Sequence, residues 1–64
     1  MKLRDFWDFI LAPEIVLVVD NEIFYMGDII EAEKKATAAG LWLLEVEGVS
    51  VYANRLRLRV YHGE

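Results

Sequence analysis

The segment Ile15–Val19 places the tightest limit on what this chain can fold into. Its five residues are all aliphatic and all but Leu17 are β-branched, which is typical of a β-strand. Successive side chains of a strand point to opposite faces, so this strand presents apolar groups on both sides and must be covered on both. We therefore expect a central strand in a sheet whose two faces are each shielded from water.

Length and composition limit what can provide that cover. The chain has 64 residues, enough for one domain with a single core, and its hydrophobic fraction is 56%. It contains no cysteine, which excludes disulfides and thiolate metal sites as supports for so small a domain. Association between copies is the usual support that remains. We therefore expect a homo-oligomer, with another protein as a further possible partner.

The same features guide the expected location. Asp5 and Asp8 interrupt the apolar start of the chain, so it is expected to be mature structure and not a signal peptide. The apolar run 15–19 is far shorter than the roughly 20 residues that cross a bilayer, so no membrane association is expected. The lack of cysteine fits a reducing compartment, and we expect the cytoplasm.

An amphipathic helix is predicted over residues 2–11. Its apolar residues recur at helical spacing and share one face, namely Leu3, Phe6, Trp7, Ile10 and Leu11. Phe9 lies off that face and is a candidate exposed aromatic. Pro13 ends the segment because it biases the preceding residue away from helical geometry.

A β-hairpin over residues 15–26 and a second helix over 29–39 follow. Asp20 and Asn21 tolerate the left-handed conformation that a tight turn requires, and strand 23–26 returns from that turn. Asp28, with Glu31 three residues later, is typical of a helix start, and Gly40 is the expected stop.

From residue 41 to residue 62 the pattern predicts a β-meander, divided at Gly48 and at Ala53-Asn54. Gly48 is compatible with either a turn or a bulge, so this part contains two or three strands. The resulting fold class is α+β: a small antiparallel sheet of four to five strands with an N-terminal helix and one central helix, in the order α-β-β-α-β-β(-β).

The last strand shows the clearest alternation in the chain. Leu56, Leu58 and Val60 are expected to point inward, and a row of polar side chains to point outward, namely Arg55, Arg57, Arg59 and Tyr61. Three guanidinium groups beside aromatic rings, with Tyr52 as a further candidate, form a possible anion-binding site. The alternative is a charged face that keeps a strand soluble.

Three segments also carry a family resemblance: the apolar strand that ends in DNE, the return strand FYMG, and the closing hairpin VSVYANRLRLRV. Together they resemble small uncharacterised proteins often carried by bacterial phages and prophages. The resemblance covers residues 15–62. It implies a small ββ-α-β-hairpin module and no particular mechanism.

No constellation of catalytic residues is visible in the sequence. His62 is the only histidine, and a metal site needs several convergent ligands. The pairs Asp20 with Glu22 and Glu45 with Glu47 are more simply interpreted as solvent-facing carboxylates, with Glu45 and Glu47 expected to lie across the sheet from arginines. We therefore predict no enzyme activity, no catalytic residue, no cofactor and no metal.

Two binding functions remain. The first is a protein-interaction or assembly module that self-associates through apolar surface, with a candidate interface on the N-terminal helix formed by Phe6, Trp7, Phe9 and Ile10. The second is binding of nucleic acid or another polyanion through Arg55, Arg57 and Arg59. Four Lys/Arg and ten Asp/Glu precede Arg55, and this acidic body disfavours general affinity for nucleic acid.

Overall fold

In a computed structural model, which describes residues 1–63 apart from the side chain of Tyr52, two helices and a short 3₁₀ turn pack on a four-stranded sheet. The elements in chain order are α1 (Leu3–Trp7), β1 (Glu14–Val19), β2 (Glu22–Asp28), α2 (Ile29–Ala39), the 3₁₀ turn (Leu41–Leu43), β3 (Glu45–Tyr52) and β4 (Arg55–Tyr61). None of the described helices is long and apolar enough to cross a bilayer.

The strands lie side by side in the order β2-β1-β4-β3. The two hairpins β1–β2 and β3–β4 are antiparallel, and they meet through a parallel pairing of β1 with β4, in which Ile15 lies beside Leu56 and Val19 beside Val60. The predicted α+β class and element order are confirmed, and β1 is central as expected. The parallel pair makes the sheet mixed, whereas a wholly antiparallel sheet was expected.

The parallel pair has a physical reason. Strand β1 is apolar on both faces and gains most from a strand on each side, and β4 carries the alternating leucines that complete the core beside it. The α2 crossover carries the chain from β2, at one edge of the sheet, to β3 at the other edge. The return strand β4 then lies next to β1.

Both hairpins turn through two residues in the left-handed conformation. Asp20 and Asn21 have φ of 51° and 70°, and Ala53 and Asn54 have φ of 52° and 64°. Two successive positive φ angles match the type I′ turn that suits the twist of a hairpin. The predicted turns at these positions are confirmed.

Helix α2 has the predicted bounds and the predicted ends. The Asp28 carboxylate accepts a hydrogen bond of 2.9 Å from the Ile30 amide, and Gly40 ends the helix with φ of 68°. Ala32 and Ala36 are fully buried, and their small side chains let the helix approach the sheet closely. They join a core that also contains the buried residues Leu3, Ile15, Leu17, Leu41, Leu44, Leu58 and Val60.

Two predicted elements are wrong in extent. Helix α1 has five residues, not the ten of 2–11. After Trp7 the helical hydrogen bonds give way to turn bonds, from the Phe9 amide to Phe6 and from the Ile10 amide to Trp7, and the chain then leaves the helix to reach the start of β1. Residues 41–43 form a 3₁₀ turn, although a strand was predicted from residue 41. This turn places Leu41 and Leu44 in the core, a spacing of three that a strand does not provide.

Gly48, left open between a turn and a bulge, lies at a bulge within one continuous strand. The β3–β4 register passes from Val46 opposite Val60 to Gly48 opposite Arg59, so Glu47 is the extra residue. The part of the chain after α2 therefore contains two strands.

Candidate functional surface

The two faces of the sheet differ in what covers them. Both helices and the 3₁₀ turn pack on the face that carries Ile15, Leu17, Leu58 and Val60, which we call the helical face. The other face, which we call the open face, carries no described helix. By register it presents Glu14, Val16 and Val18 from β1, Ile23, Met26 and Asp28 from β2, Glu45, Gly48 and Ser50 from β3, and Arg55, Arg57, Arg59 and Tyr61 from β4.

The apolar centre of the open face is buried without a helix above it. Val16 is 7% exposed and Val18 is 2% exposed, because each lies between longer side chains on the neighbouring strands β2 and β4. Towards β2 this apolar surface reaches solvent, since Ile23 is 63% and Met26 is 54% exposed. The open face therefore has a buried aliphatic centre and an exposed apolar border.

The arginine row lies on the open face, as the alternation of β4 predicted. Arg57 and Arg59 are exposed, whereas Leu58 and Val60 beneath them are buried. Arg55 is less exposed and binds Glu14, with 2.8 Å between Nε and the carboxylate oxygen. Its Nη1 also lies 3.7 Å from the Met26 sulfur, so this cation already has partners within the chain.

Arg59 lies flat towards β3. A Cβ atom at Gly48 would be only 2.5 Å from an Arg59 guanidinium nitrogen, so the missing side chain leaves room for this arginine. Among the described side chains, no acidic group is within ion-pair distance of Arg57 or Arg59. Of the two predicted aromatic neighbours of the arginines, Tyr61 is exposed at the end of β4. The Tyr52 side chain lies outside the described residues.

The predicted interface on α1 is mostly used within the chain. Phe6, Trp7 and Ile10 are partly buried and pack against the core, and the Trp7 ring meets Trp42 edge-on with 5.0 Å between centroids. Only Phe9, which is 72% exposed, points away from the core as predicted. The apolar face of α1 therefore supplies cover for the helical face of the sheet.

A second group of exposed apolar side chains lies away from the open face. Leu11 and Phe9 belong to the segment that leads to β1, and Val49 and Val51 lie at the β3 edge of the helical face, beyond the reach of the short α1. These residues belong to two different segments of the chain. No described lysine or arginine lies directly across the sheet from Val49 or Val51. They form the main competitor to the open face as a contact surface.

Of the carboxylate pair Asp20 and Glu22, Asp20 forms hydrogen bonds that join two distant segments of the chain. Asp20 accepts hydrogen bonds from the His62 amide at 3.0 Å and from its ring at 2.5 Å, which ties the end of β4 to the first hairpin turn. The His62 amide bond, followed by the ring bond, lowers the pKa of Asp20. These two bonds anchor His62 to the first hairpin turn. Within residues 1–63, no three acidic or histidine side chains converge as metal ligands.

Glu45 has a similar structural use at the other edge of the sheet. Its carboxylate binds Lys2 at 2.8 Å and the N-terminal ammonium group at 3.2 Å, and the backbone of Lys2 pairs with Glu45 beside β3. The Lys2 bond is the main cause that lowers the pKa of Glu45. The expected pairing of Glu45 across the sheet with an arginine is wrong, since its neighbour on β4 is Tyr61.

Sequence reasoning missed the exposed border on β2. A bulge at Phe24 separates Leu17 opposite Tyr25 from Val18 opposite Ile23, and this shift brings Ile23 onto the open face beside Val18. The available signal was that residues 23–26 are apolar on both faces, as β1 is, although only some strands of a small sheet can be central.

Comparison with family models, curated proteins and solved structures finds no match to this chain.

Proposed function

We propose that the chain is a non-enzymatic assembly module that self-associates through the open face of its sheet. The observation that carries this proposal is the exposure of Ile23 and Met26 directly beside the buried Val16 and Val18. Contiguous apolar surface of this kind is typical of protein contact sites. The backbone of the open face is already ordered by strand pairing, so little conformational entropy is lost when it packs.

The test uses two isoleucines of nearly equal exposure. Ile23 is 63% exposed on the open face and Ile30 is 60% exposed on α2. We expect sedimentation equilibrium of the wild-type chain to show reversible association at micromolar concentration. Ile23→Lys should weaken that association by about tenfold or more, because a charge on an edge strand opposes packing there. The control Ile30→Lys should leave it unchanged.

Two results would overturn the proposal. The first is a wild-type chain that stays monomeric at all accessible concentrations. The second is association that survives Ile23→Lys but is lost in Val51→Lys, which would assign the contact to the exposed edge of the helical face. Circular dichroism of each variant shows that the sheet is retained.

The second candidate function is binding of a polyanion through Arg57 and Arg59. It is favoured by the absence of an ion-pair partner for either guanidinium among the described side chains. Such binding falls steeply with salt, because it releases counterions. A double variant Arg57→Ala and Arg59→Ala should then abolish binding to heparin or single-stranded DNA at low salt, while Arg4→Ala, which removes an exposed arginine of α1, should not.

A further inference from the structure

We propose that the occupant of the open face is a second copy of this chain, packed face to face about a two-fold axis that runs parallel to the strands between β1 and β4. The arrangement rests on the proposed function and adds to it which strand meets which. An axis in this position places β1 over β4 of the second copy and β2 over β3. Strand direction is preserved, so residues at the same level of the parallel β1–β4 register face each other.

Charge is complementary in this arrangement. Glu14 precedes Ile15, which pairs with Leu56, so Glu14 is level with Arg55. The two-fold axis therefore places Glu14 of each copy over Arg55 of the other, giving two equivalent contacts. An axis perpendicular to the strands would instead stack β4 on β4 and bring the arginine rows together. Like charges in contact disfavour that alternative.

Side-chain size is complementary as well. Met26 is level with Val16 and hence with Arg57 and Ser50, and Ile23 is level with Val18 and hence with Arg59 and Gly48. Packing β2 over β3 therefore places Met26 of one copy over the small Ser50 of the other, and Ile23 over Gly48, where it meets the guanidinium of Arg59 that fills the space beside the glycine. Arg57 and Arg59 of one copy lie over the rows of the buried Val16 and Val18 of the other, where the aliphatic stems of arginine pack on the side chains that cover these valines.

The area of the open face indicates the expected affinity. Four strands spaced about 4.8 Å apart, each with about six residues at 3.3 Å, give a face of roughly 20 Å by 20 Å. Two such faces give an area of roughly 800 Å² in total, which is below the about 1,200–2,000 Å² of stable specific interfaces. We therefore expect a reversible dimer and not a permanent one.

A charge exchange between two chains tests the arrangement. Glu14→Lys and Arg55→Glu are made separately, and each should weaken its own homodimer by about tenfold, because both symmetric contacts become repulsive. Mixed in equal amounts, the two variants should form a heterodimer within about threefold of the wild-type affinity, since both contacts are then attractive again. Fluorescence anisotropy with one labelled chain, supported by sedimentation velocity, measures all three associations.

The controls and outcomes separate this inference from the proposed function. Arg4→Glu and Glu33→Lys reverse exposed charges away from the open face and should leave homodimers unchanged. If the wild-type chain associates but each variant does so equally well, or if mixing restores nothing, the two-fold arrangement is wrong while self-association stands. If the wild-type chain is a monomer, both proposals fail. Circular dichroism confirms that the variants fold despite losing the Glu14–Arg55 ion pair.

Discussion

The two hairpins share one backbone plan and differ in their side chains. Each has a two-residue turn with positive φ, a bulge, one central strand and one edge strand. On the open face, hairpin β1–β2 carries large aliphatic residues and two carboxylates at one end, whereas hairpin β3–β4 carries glycine, serine, arginines, Tyr61 and Glu45. On the helical face both supply leucine to the same core. The core therefore requires similar side chains from the two hairpins on the helical face only. Their side chains on the open face can differ without affecting the core.

The largest expected effect tests that equivalence. Leu17 and Leu58 are neighbours across the parallel pair and both are fully buried, so Leu17→Ala and Leu58→Ala should destabilise the fold alike. Each should lower the free energy of unfolding by about 2–5 kcal/mol, which is a large part of the total free energy of unfolding of a domain this small. Urea unfolding measures both. Unequal losses would show that one hairpin dominates the core.

The glycines sharpen the contrast between the hairpins. Gly27 of β2 has φ of 152°, and an added Cβ would lie 2.8 Å from the Tyr25 hydroxyl. Gly27→Ala should therefore lower the free energy of unfolding by about 2–3 kcal/mol. Gly48→Ala should change it by less than about 1 kcal/mol, because the conflict there is with the mobile end of Arg59 and alanine suits a strand better than glycine. Equal losses in thermal unfolding would contradict this distinction.

The turns offer a pair of opposite changes. Ala53 holds φ of 52° at a position that the first hairpin fills with Asp20. Ala53→Asn should raise the free energy of unfolding by about 0.5–1 kcal/mol, since asparagine tolerates the left-handed region better than alanine. Asn21→Ala should lower it by a similar amount. A destabilising Ala53→Asn, detected as a lower urea midpoint, would mean that the second turn depends on another feature.

The smallest effect concerns the bond between the hairpins. His62 lowers the pKa of Asp20 below its ordinary value of 3.8, so the folded state favours the ionised carboxylate. This contribution is complete above the ordinary pKa and is lost as the pH falls through the lowered pKa. Asp20→Asn keeps a turn-forming residue and should show a smaller loss of stability between pH 7 and pH 3 than the wild type. Identical pH profiles in urea unfolding would show that the bond contributes nothing.

Local chemistry explains which parts of the fold could be predicted from sequence. The bounds of α2, the two turns and the alternation of Arg55–Tyr61 depend on neighbouring residues, and their patterns were sufficient. The parallel pairing of β1 with β4 depends on contacts between distant segments, so no local pattern revealed it. Helix α1 was predicted too long because apolar spacing does not show where the chain must leave a helix to reach β1.

The candidate surface was predictable only in part. The arginine row followed from period two, but the exposed border on β2 depends on the bulge at Phe24, which has no clear sequence signal. The apolar face of α1 was assigned to a partner because cover by the chain's own sheet cannot be distinguished from cover by another molecule in sequence alone. Three of its four candidate residues pack on the core.

The parallel pairing of β1 with β4 also has a kinetic consequence. It joins residues such as Ile15 and Leu56, which are far apart along the chain, whereas each hairpin closes locally through a two-residue turn. Local closure takes microseconds, while contacts between distant segments form late because the intervening chain must first be ordered. We therefore expect the hairpins to form early and their docking to be the rate-limiting step of folding.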